Sequence, residues 1–399
     1  EDLLLMQSAV NSESGVIYPS NGSDAVVANT AHYKLTKDIS LADVCGENKA
    51  TWTPIGNYSV NENFVFKGVF DGDGHTISEL YINSESDYQG FFGQVSPAGT
   101  IKKVKVNGTV DARLYCALVC GSGGIIENCE SHGFVKSDVS WVGGIVGAGN
   151  SIFSCIYYAN VYGDGSYIGG ITGSSSSIIR ESINVGEVYN GQNYTGGIVG
   201  YQNAGKVYNC YNSGKVEGKL GYVGGISGYS RQGSLLYNSY NKGHVIGKEY
   251  VGGILGKCDT YEEQPLRTKI MNCVNLGDIE SNEGAQYLGS ICGLNSSSVS
   301  NCYWLYDEEL NLGMKTGIAE TESRGKTEHC FGLADAQLKG QENYFTVLYT
   351  SSDNTSYYKV LDALNACAND NKTTEMKLFG WKQESIDEYP IFNGREADK

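Results

Sequence analysis

The chain has 399 residues, of which 53 are Gly and only 5 Pro, with 40% apolar, 11% aromatic and 19% charged residues. Lys and Arg number 29 against 45 Asp and Glu, a net charge of −16. Sparse Pro without a three-residue Gly period excludes collagen, the aromatic content argues against disorder, and interior Gly, about 0.5–1 kcal/mol worse than Ala, argues against an ordinary helical protein. An acidic chain with no basic block is a poor partner for nucleic acid or anionic membranes. The apolar stretch Leu3–Met6 is far too short to span a bilayer. It follows Glu1 and Asp2 and so lacks the basic start of a signal peptide. The expectation is a processed or excised segment of a larger exported precursor.

In chain order, Leu3, Leu4, Leu5 and Val10 with Gln7 and Asn11 predict a short amphipathic helix suited to plugging a first coil. His32–Ser40 and Thr51–Asn83 supply opening strands, with Phe70–Ile77 (FDGDGHTI) as a strand–turn–strand. A repeat then sets in. Its members are DYQGFFG (Asp87–Gly93), YCALVCG (Tyr115–Gly121), WVGGIVG (Trp141–Gly147) and YIGGITG (Tyr167–Gly173). YTGGIVG (Tyr194–Gly200), YVGGISG (Tyr222–Gly228), YVGGILG (Tyr250–Gly256) and YLGSICG (Tyr287–Gly293) complete it. The fourth positions fall at 90, 118, 144, 170, 197, 225, 253 and 290, so the steps are 28, 26, 26, 27, 28, 28 and 37. A near-constant period with one longer member means a repeat architecture.

The columns extend beyond the motif. Phe91, Val119, Ile145, Ile171, Ile198, Ile226, Ile254 and Ile291 form one; Ile126, Ile152, Ile179, Val207, Leu236, Ile270 and Val299 another. Three residues on lies a small-residue column, Cys129, Cys155, Ser182, Cys210, Ser239, Cys273 and Cys302, and six beyond that Val135, Val161, Val188, Val216, Val245 and Ile279. Each unit therefore holds three short β-type runs separated by Gly, Asn and Ser turns. This predicts an all-β, right-handed parallel β-helix of about ten coils, roughly 50 Å long at about 4.8 Å per coil. A propeller is the alternative and would want 40 or more residues per blade. Asn at repeated offsets would bond to its neighbours above and below. After Trp304 the repeat stops, and Leu333–Gln341 and Tyr357–Asp370 read as helices. The division expected is an N-terminal cap and lead-in over 1–30, the β-helix over 31–305 and a C-terminal cap over 306–399. Caps are required because an open end exposes core and strand edges.

Five of the 12 Cys share a column with Ser, which reads as reduced, buried, space-filling thiols. Disulfides such as Cys129–Cys155 or Cys273–Cys302 are the alternative. There is no Cys-x-x-Cys pair, so a zinc site is not expected, and no cofactor is assigned.

The eight motif segments resemble the GLUG-motif repeat proteins of bacterial surfaces. So do Asn209–Val216, the lead-in Thr51–Gly56 with Phe66–Ile82, Cys302–Trp304, and the closing Leu364, Asn365, Gly380, Trp381 and Tyr389–Phe392. The resemblance implies a secreted or wall-attached, adhesin-like protein, similar to the non-catalytic repeat region of some immunoglobulin A peptidases. Those peptidases use a zinc-binding His-Glu-x-x-His, and none of His32, His75, His132, His244 and His329 is followed by Glu. Leu118 and Ser290 depart from the motif Gly.

For function, a polysaccharide-active enzyme would need carboxylates about 5–9.5 Å apart on one face. The candidates are Asp71 with Asp73, Glu127 with Glu130, and Glu181 with Glu187; the first pair reads as a turn and the others as solvated surface. His75 reads as a turn residue. No catalytic residue is assigned. Tyr115, Trp141, Tyr167, Tyr194, Tyr222, Tyr250 and Tyr287 read as a structural stack at a corner, sharing the parity of the inward Ile column. Tyr201, Tyr208 and Tyr211, with Tyr229, Tyr237 and Tyr240 one unit on, are expected to face outward and to suit sugar rings or protein partners. The long turn Lys257–Lys269, with Glu262, Glu263 and Arg267, is a candidate binding loop. The expectation is an exported, monomeric surface module binding glycans or host proteins through the side of the β-helix. The alternatives are a glycoside hydrolase or lyase, and a spacer that binds nothing.

Overall fold

In the computed structural model, the residues described are 1–13, 15–18, 24–259, 268–282, 284, 286–307, 312–313, 316–321, 325–341, 347–374, 376–378, 380–383, 385 and 388–392. Glu262, Glu263 and Arg267 lie outside them. The chain divides into two compact units. One comprises Glu1–Ile178, Ser182–Gln192 and Val199–Tyr201; the other comprises Ile179–Glu181, Asn193–Ile198 and Gln202–Lys399.

Each unit is a stack of parallel three-strand coils. In the first unit, Phe92–Lys102, Cys120–Glu127 and Val146–Phe153 pair in parallel, with Ile126 on Ile152 and Ile101 on Ile126. A second sheet carries Val110 on Val135, Val135 on Val161 and Val161 on Val188. A short third side pairs Val142–Gly143 with Ile168–Gly169. The columns legible in the sequence are therefore vertical stacks, and these residues are buried. Stacking like on like gives each side chain the same neighbour above and below, which favours close packing of the interior. Helix α1 (Asp2–Val10) turns Leu3, Met6 and Val10 inward. Just after it, the Asn11 Oδ1 accepts from the Gly56 and Asn57 amides at 2.9 Å each, tying the helix to the first coil.

The second unit repeats the pattern. Val207, Leu236, Ile270 and Val299 stack in sequence, as do Val216, Val245 and Ile279, and Tyr250 on Tyr287. Strand pairing runs on past residue 305. Ile318–Thr321, Lys326–Glu328 and Phe331–Leu333 continue the coil in parallel register although their sequence carries no motif. Two helices follow, α2 (Asp335–Leu338) and α3 (Val360–Asn371). Both are shorter than the runs expected from the sequence.

The motif glycines are explained by space. A Cβ on Gly197, Gly225 or Gly253 would lie 2.4, 2.4 and 2.3 Å from the Cγ of Asn212, Asn241 and Asn275. Those three Asn form an internal ladder. Asn212 Nδ2 donates to Asn241 Oδ1 at 2.8 Å and Asn241 Nδ2 to Asn275 Oδ1 at 2.9 Å. At the last motif, Ser290 stands where Gly is usual, and its hydroxyl accepts from Asn275 Nδ2 at 3.0 Å, ending the ladder.

All 12 Cys are free thiols, eleven of them buried and Cys330 half-buried. The small-residue column has one chemistry. Cys129, Cys155, Cys210 and Cys273 each donate to the carbonyl two residues back at 3.3–3.4 Å, and Ser239 does the same at 2.8 Å. Cys and Ser interchange because both fill the corner and both satisfy that carbonyl.

Candidate functional site

Three aromatic arrays lie on the coils. The first is the corner ladder. In the first unit Tyr88, Tyr115, Trp141 and Tyr167 stack with centroids 4.6, 4.8 and 5.0 Å apart and ring planes within 20°. In the second, Tyr194, Tyr222, Tyr250 and Tyr287 stack at 5.1, 5.0 and 4.9 Å. The rings are half-buried rather than inward. Five of the eight, Tyr88, Tyr115, Trp141, Tyr167 and Tyr194, sit at φ of 56–66°, in the left-handed region, and at these five inward parity is lost. One such residue turns the chain and breaks the alternation of faces. Bulky residues rarely adopt it. Here ring stacking along the column offsets the cost.

The second array is the six-tyrosine set expected to face outward, and here the structure corrects the sequence reading. Tyr208, Tyr229, Tyr237 and Tyr240 are only 2, 8, 7 and 5% exposed, and Tyr201 and Tyr211 are half-buried. The six do not make one face. Tyr201 packs edge-on against Tyr167. Tyr229 lies against Tyr194 and Tyr222 and donates its hydroxyl to Asp259 Oδ2 at 3.0 Å. Tyr211 and Tyr240 stack at 4.3 Å inside a cluster with Leu338, Leu348, Val360, Ala363, Leu364 and Trp381.

That cluster is the C-terminal segment folded back along the side of the second unit's own coils. The corner residues Asn209, Asn238 and Asn272 form a second ladder, with 2.7 Å amide bonds from Asn238 to Asn209 and from Asn272 to Asn238. The returning chain docks on this ladder. Asn209 Nδ2 donates to the Lys377 carbonyl at 2.7 Å, Asn272 Nδ2 to the Leu364 carbonyl at 3.1 Å, and Trp381 Nε1 to Asn238 Oδ1 at 2.7 Å. Burial pushes the Tyr237 hydroxyl up to about 12, with Cys367 of α3 adding to the shift. Outward tyrosines of a solenoid are exposed only if nothing else lies on them, and the repeat pattern carries no information on where a non-repeating tail will lie.

The third array was not singled out in the sequence. Phe134, Tyr162 and Tyr189 project from the outside of the second sheet of the first unit. Tyr162 pairs in register with Tyr189, and Lys136 with Tyr162. Ring centroids are 5.2 and 5.9 Å apart with planes tilted by 35° and 40°. A shallow cavity of about 270 Å³ lies over them, bordered by Lys136, Ser137, Asp138, Gly163 and Asp164. The available signal was position. Lys136, Tyr162 and Tyr189 each follow a residue of the buried column Val135, Val161 and Val188, so alternation turns them outward.

Four of the six acids weighed for hydrolysis, Asp71, Asp73, Glu130 and Glu181, are held by neighbours. Asp71 Oδ1 accepts the Asp73 amide at 2.9 Å, and Asp71 and Asp73 pair with Lys102 at 3.3 Å and Lys34 at 2.9 Å. Partial burial raises the Asp71 carboxyl, yet that amide and Lys102 outweigh it and leave it below its ordinary value. Glu130 pairs with Lys105 at 3.0 Å and Glu181 with Arg180 at 2.5 Å. His75 Nδ1 lies 3.1 Å from Asp38 Oδ1, which also accepts the Thr76 amide. Among the described residues, no three His, Cys, Asp or Glu side chains are grouped to hold a metal ion, and no helix is long and apolar enough to cross a membrane.

Over 128 residues the chain is 34% identical to halomucin of Haloquadratum walsbyi, a match covering 30% of this chain and 1% of halomucin. Over 103 residues it is 31% identical to a protein of Evansella cellulosilytica designated a Gly-rich membrane protein, covering 24% of this chain and 12% of that one. The chain thus spans a small part of the curated relatives it matches. A crystal structure from Bacteroides ovatus, titled as an immunoglobulin A1 protease, aligns over 83% of this chain and 86% of its own, with 19% identity and a TM-score of 0.41. Residues 191–217 match the GLUG motif family, so the chain carries a GLUG repeat within a parallel β-solenoid.

Proposed function

We propose that this chain is an exported cell-surface module that engages glycans or host proteins through the sides of its coils. The observation that carries the reading is the repetition of half-buried aromatic side chains, one per coil, on the outside of a stacked scaffold, as in Tyr88, Tyr115, Trp141 and Tyr167. Aromatic residues with a wet edge are enriched where proteins meet ligands. The partial likeness to halomucin and to a Gly-rich membrane protein supports a surface location. The reading rests on the corner ladder and not on the six-tyrosine set, of which Tyr208, Tyr229, Tyr237 and Tyr240 are buried. The test is binding of the whole protein to immobilised mucin, to a glycan array and to a panel of extracellular matrix proteins. Saturable binding to any of these supports the reading; no binding to all three refutes it. The second reading is a spacer, favoured by the burial of Tyr208, Tyr237 and Tyr240 within the molecule.

A further inference from the structure

Resting on that reading, we propose that the outer face of the strands Glu130–Ser137, Asn160–Gly163 and Val188–Asn190 is a binding site for a neutral oligosaccharide. Phe134, Tyr162 and Tyr189 form its platform, and Lys136, Asp138 and Asp164 its polar rim.

Four observations converge on this class of ligand. The first is ring geometry. In the corner ladder the planes lie within 20° of one another and neighbouring faces cover each other. Here the rings are inclined by 35° and 40°, so neighbouring rings do not lie face to face, and all three line the cavity. A sugar presents its C–H groups to such faces while its hydroxyls reach outward. The second is size. The cavity, about 270 Å³, falls below the roughly 300–1,000 Å³ of sites for drug-sized ligands. It suits one or two sugar rings laid on the surface.

The third is the backbone. Asn160–Gly163 is paired on both sides, with Glu130–Ser137 and with Val188–Asn190. Its ladder groups are spent, so a peptide cannot be captured here by strand addition. A ligand must be held by side chains, which is how a glycan is held. The fourth is charge. Lys136 lies 3.6 Å from Asp111 and 3.5 Å from Asp138 and is neutralised by them. Asp164 is exposed on the border. The rim is therefore net negative, in a chain of net charge −16. Sialic acids and uronates meet like charge, whereas neutral hydroxyls donate strong hydrogen bonds to the carboxylates.

The experiment is a glycan array followed by titration, on the whole protein. The array holds neutral hexose oligosaccharides beside sialic-acid- and uronate-terminated counterparts. The expected result is binding of neutral members, with tenfold or greater loss for Tyr162→Ala and for Tyr189→Ala. Tyr162→Phe should stay within about threefold, because the ring makes the contact and its side chain is outside the core. Asp138→Asn with Asp164→Asn should narrow the preference against acidic glycans. Circular dichroism and the unfolding midpoint confirm that each variant folds, and Tyr189→Ala carries the test if Tyr162→Ala does not fold. Neutral-glycan binding that is unchanged in Tyr162→Ala and Tyr189→Ala overturns this site and leaves the surface-module reading standing. Binding of acidic glycans alone, or of matrix proteins and no glycan, overturns it likewise.

Discussion

Replacing Trp381 by Ala should release the C-terminal segment from the coils while leaving the coils folded. Trp381 is 3% exposed, its ring lies 5.8 Å from Tyr240, and its Nε1–H donates to Asn238 Oδ1 at 2.7 Å. Truncating a buried Trp costs about 3–5 kcal/mol. The lost hydrogen bond adds little, because Asn238 Oδ1 still accepts from Asn272 Nδ2 at 2.7 Å and is not orphaned. Coil stacks are quasi-one-dimensional, so the cost falls on local opening of the tail rather than on global unfolding. At tenfold per 1.4 kcal/mol, the open population rises by about two to three and a half orders of magnitude, and native-state proteolysis of the tail by as much where opening is fast. Trp381→Phe keeps most of the ring and loses the N–H, so about 1 kcal/mol and roughly fivefold faster cleavage are expected. The assay is limited proteolysis with mass-spectrometric mapping, paired with phenolate titration. Tyr237 should fall from about 12 toward 10.0 as the tail departs. If Trp381→Ala leaves both the cleavage rate and the Tyr237 titration unchanged, the tail does not cover that side and the tyrosines are buried for another reason.

The inner ladder and the buried thiols and phenols carry further expectations. Asn241→Ala removes the middle rung of the inner ladder, losing the bonds to Asn212, Asn275 and the Gly243 carbonyl. At about 1–3 kcal/mol per orphaned group, the unfolding midpoint should drop by more than for any surface Asn→Ala. Gly225→Ala should be as damaging, since its Cβ would meet the Gly253 carbonyl oxygen at 2.1 Å; Tm by circular dichroism checks both. Cys155→Ser should cost no more than about 1 kcal/mol, because Ser239 already makes the same bond in the same column. Stability should fall as pH rises above about 9. Burial holds Cys116 and Cys120 near 12 against 9.0, and Tyr33 and Tyr237 near 12 against 10.0. Between those values the unfolded chain has released protons that the folded chain retains, so the contribution is intact below pH 9 and is lost progressively from 9 to 12. Denaturant midpoints that stay level across that window would contradict the burial of these groups.

The coil was legible because a solenoid writes its contacts into the sequence at one spacing. Ile126 lies on Ile152 and Val135 on Val161 because each coil repeats the last, and the column of Cys and Ser arises from one carbonyl to be satisfied per corner. The Asn ladders were foreshadowed by their spacing. Two things were not legible. One was local. A single left-handed residue such as Trp141 re-aims the side chains after it, and period-two alternation does not survive the corner. The other was long-range. Lys377 meets Asn209, and Trp381 meets Asn238, across 168 and 143 residues.

By itself the sequence determined the architecture of the repeat, the identity of the inward columns and the role of Cys as a core residue, since each depends only on a residue and its copies one period away. The tertiary structure alone decided which outward residues meet solvent. A tail with no repeat can lie along any side of a coil stack, and the side it takes depends on the summed fit of α3, Lys377 and Trp381 to the corner Asn residues. That choice buried Tyr237 and Tyr240, while Phe134, Tyr162 and Tyr189 stayed half-buried beside an open cavity.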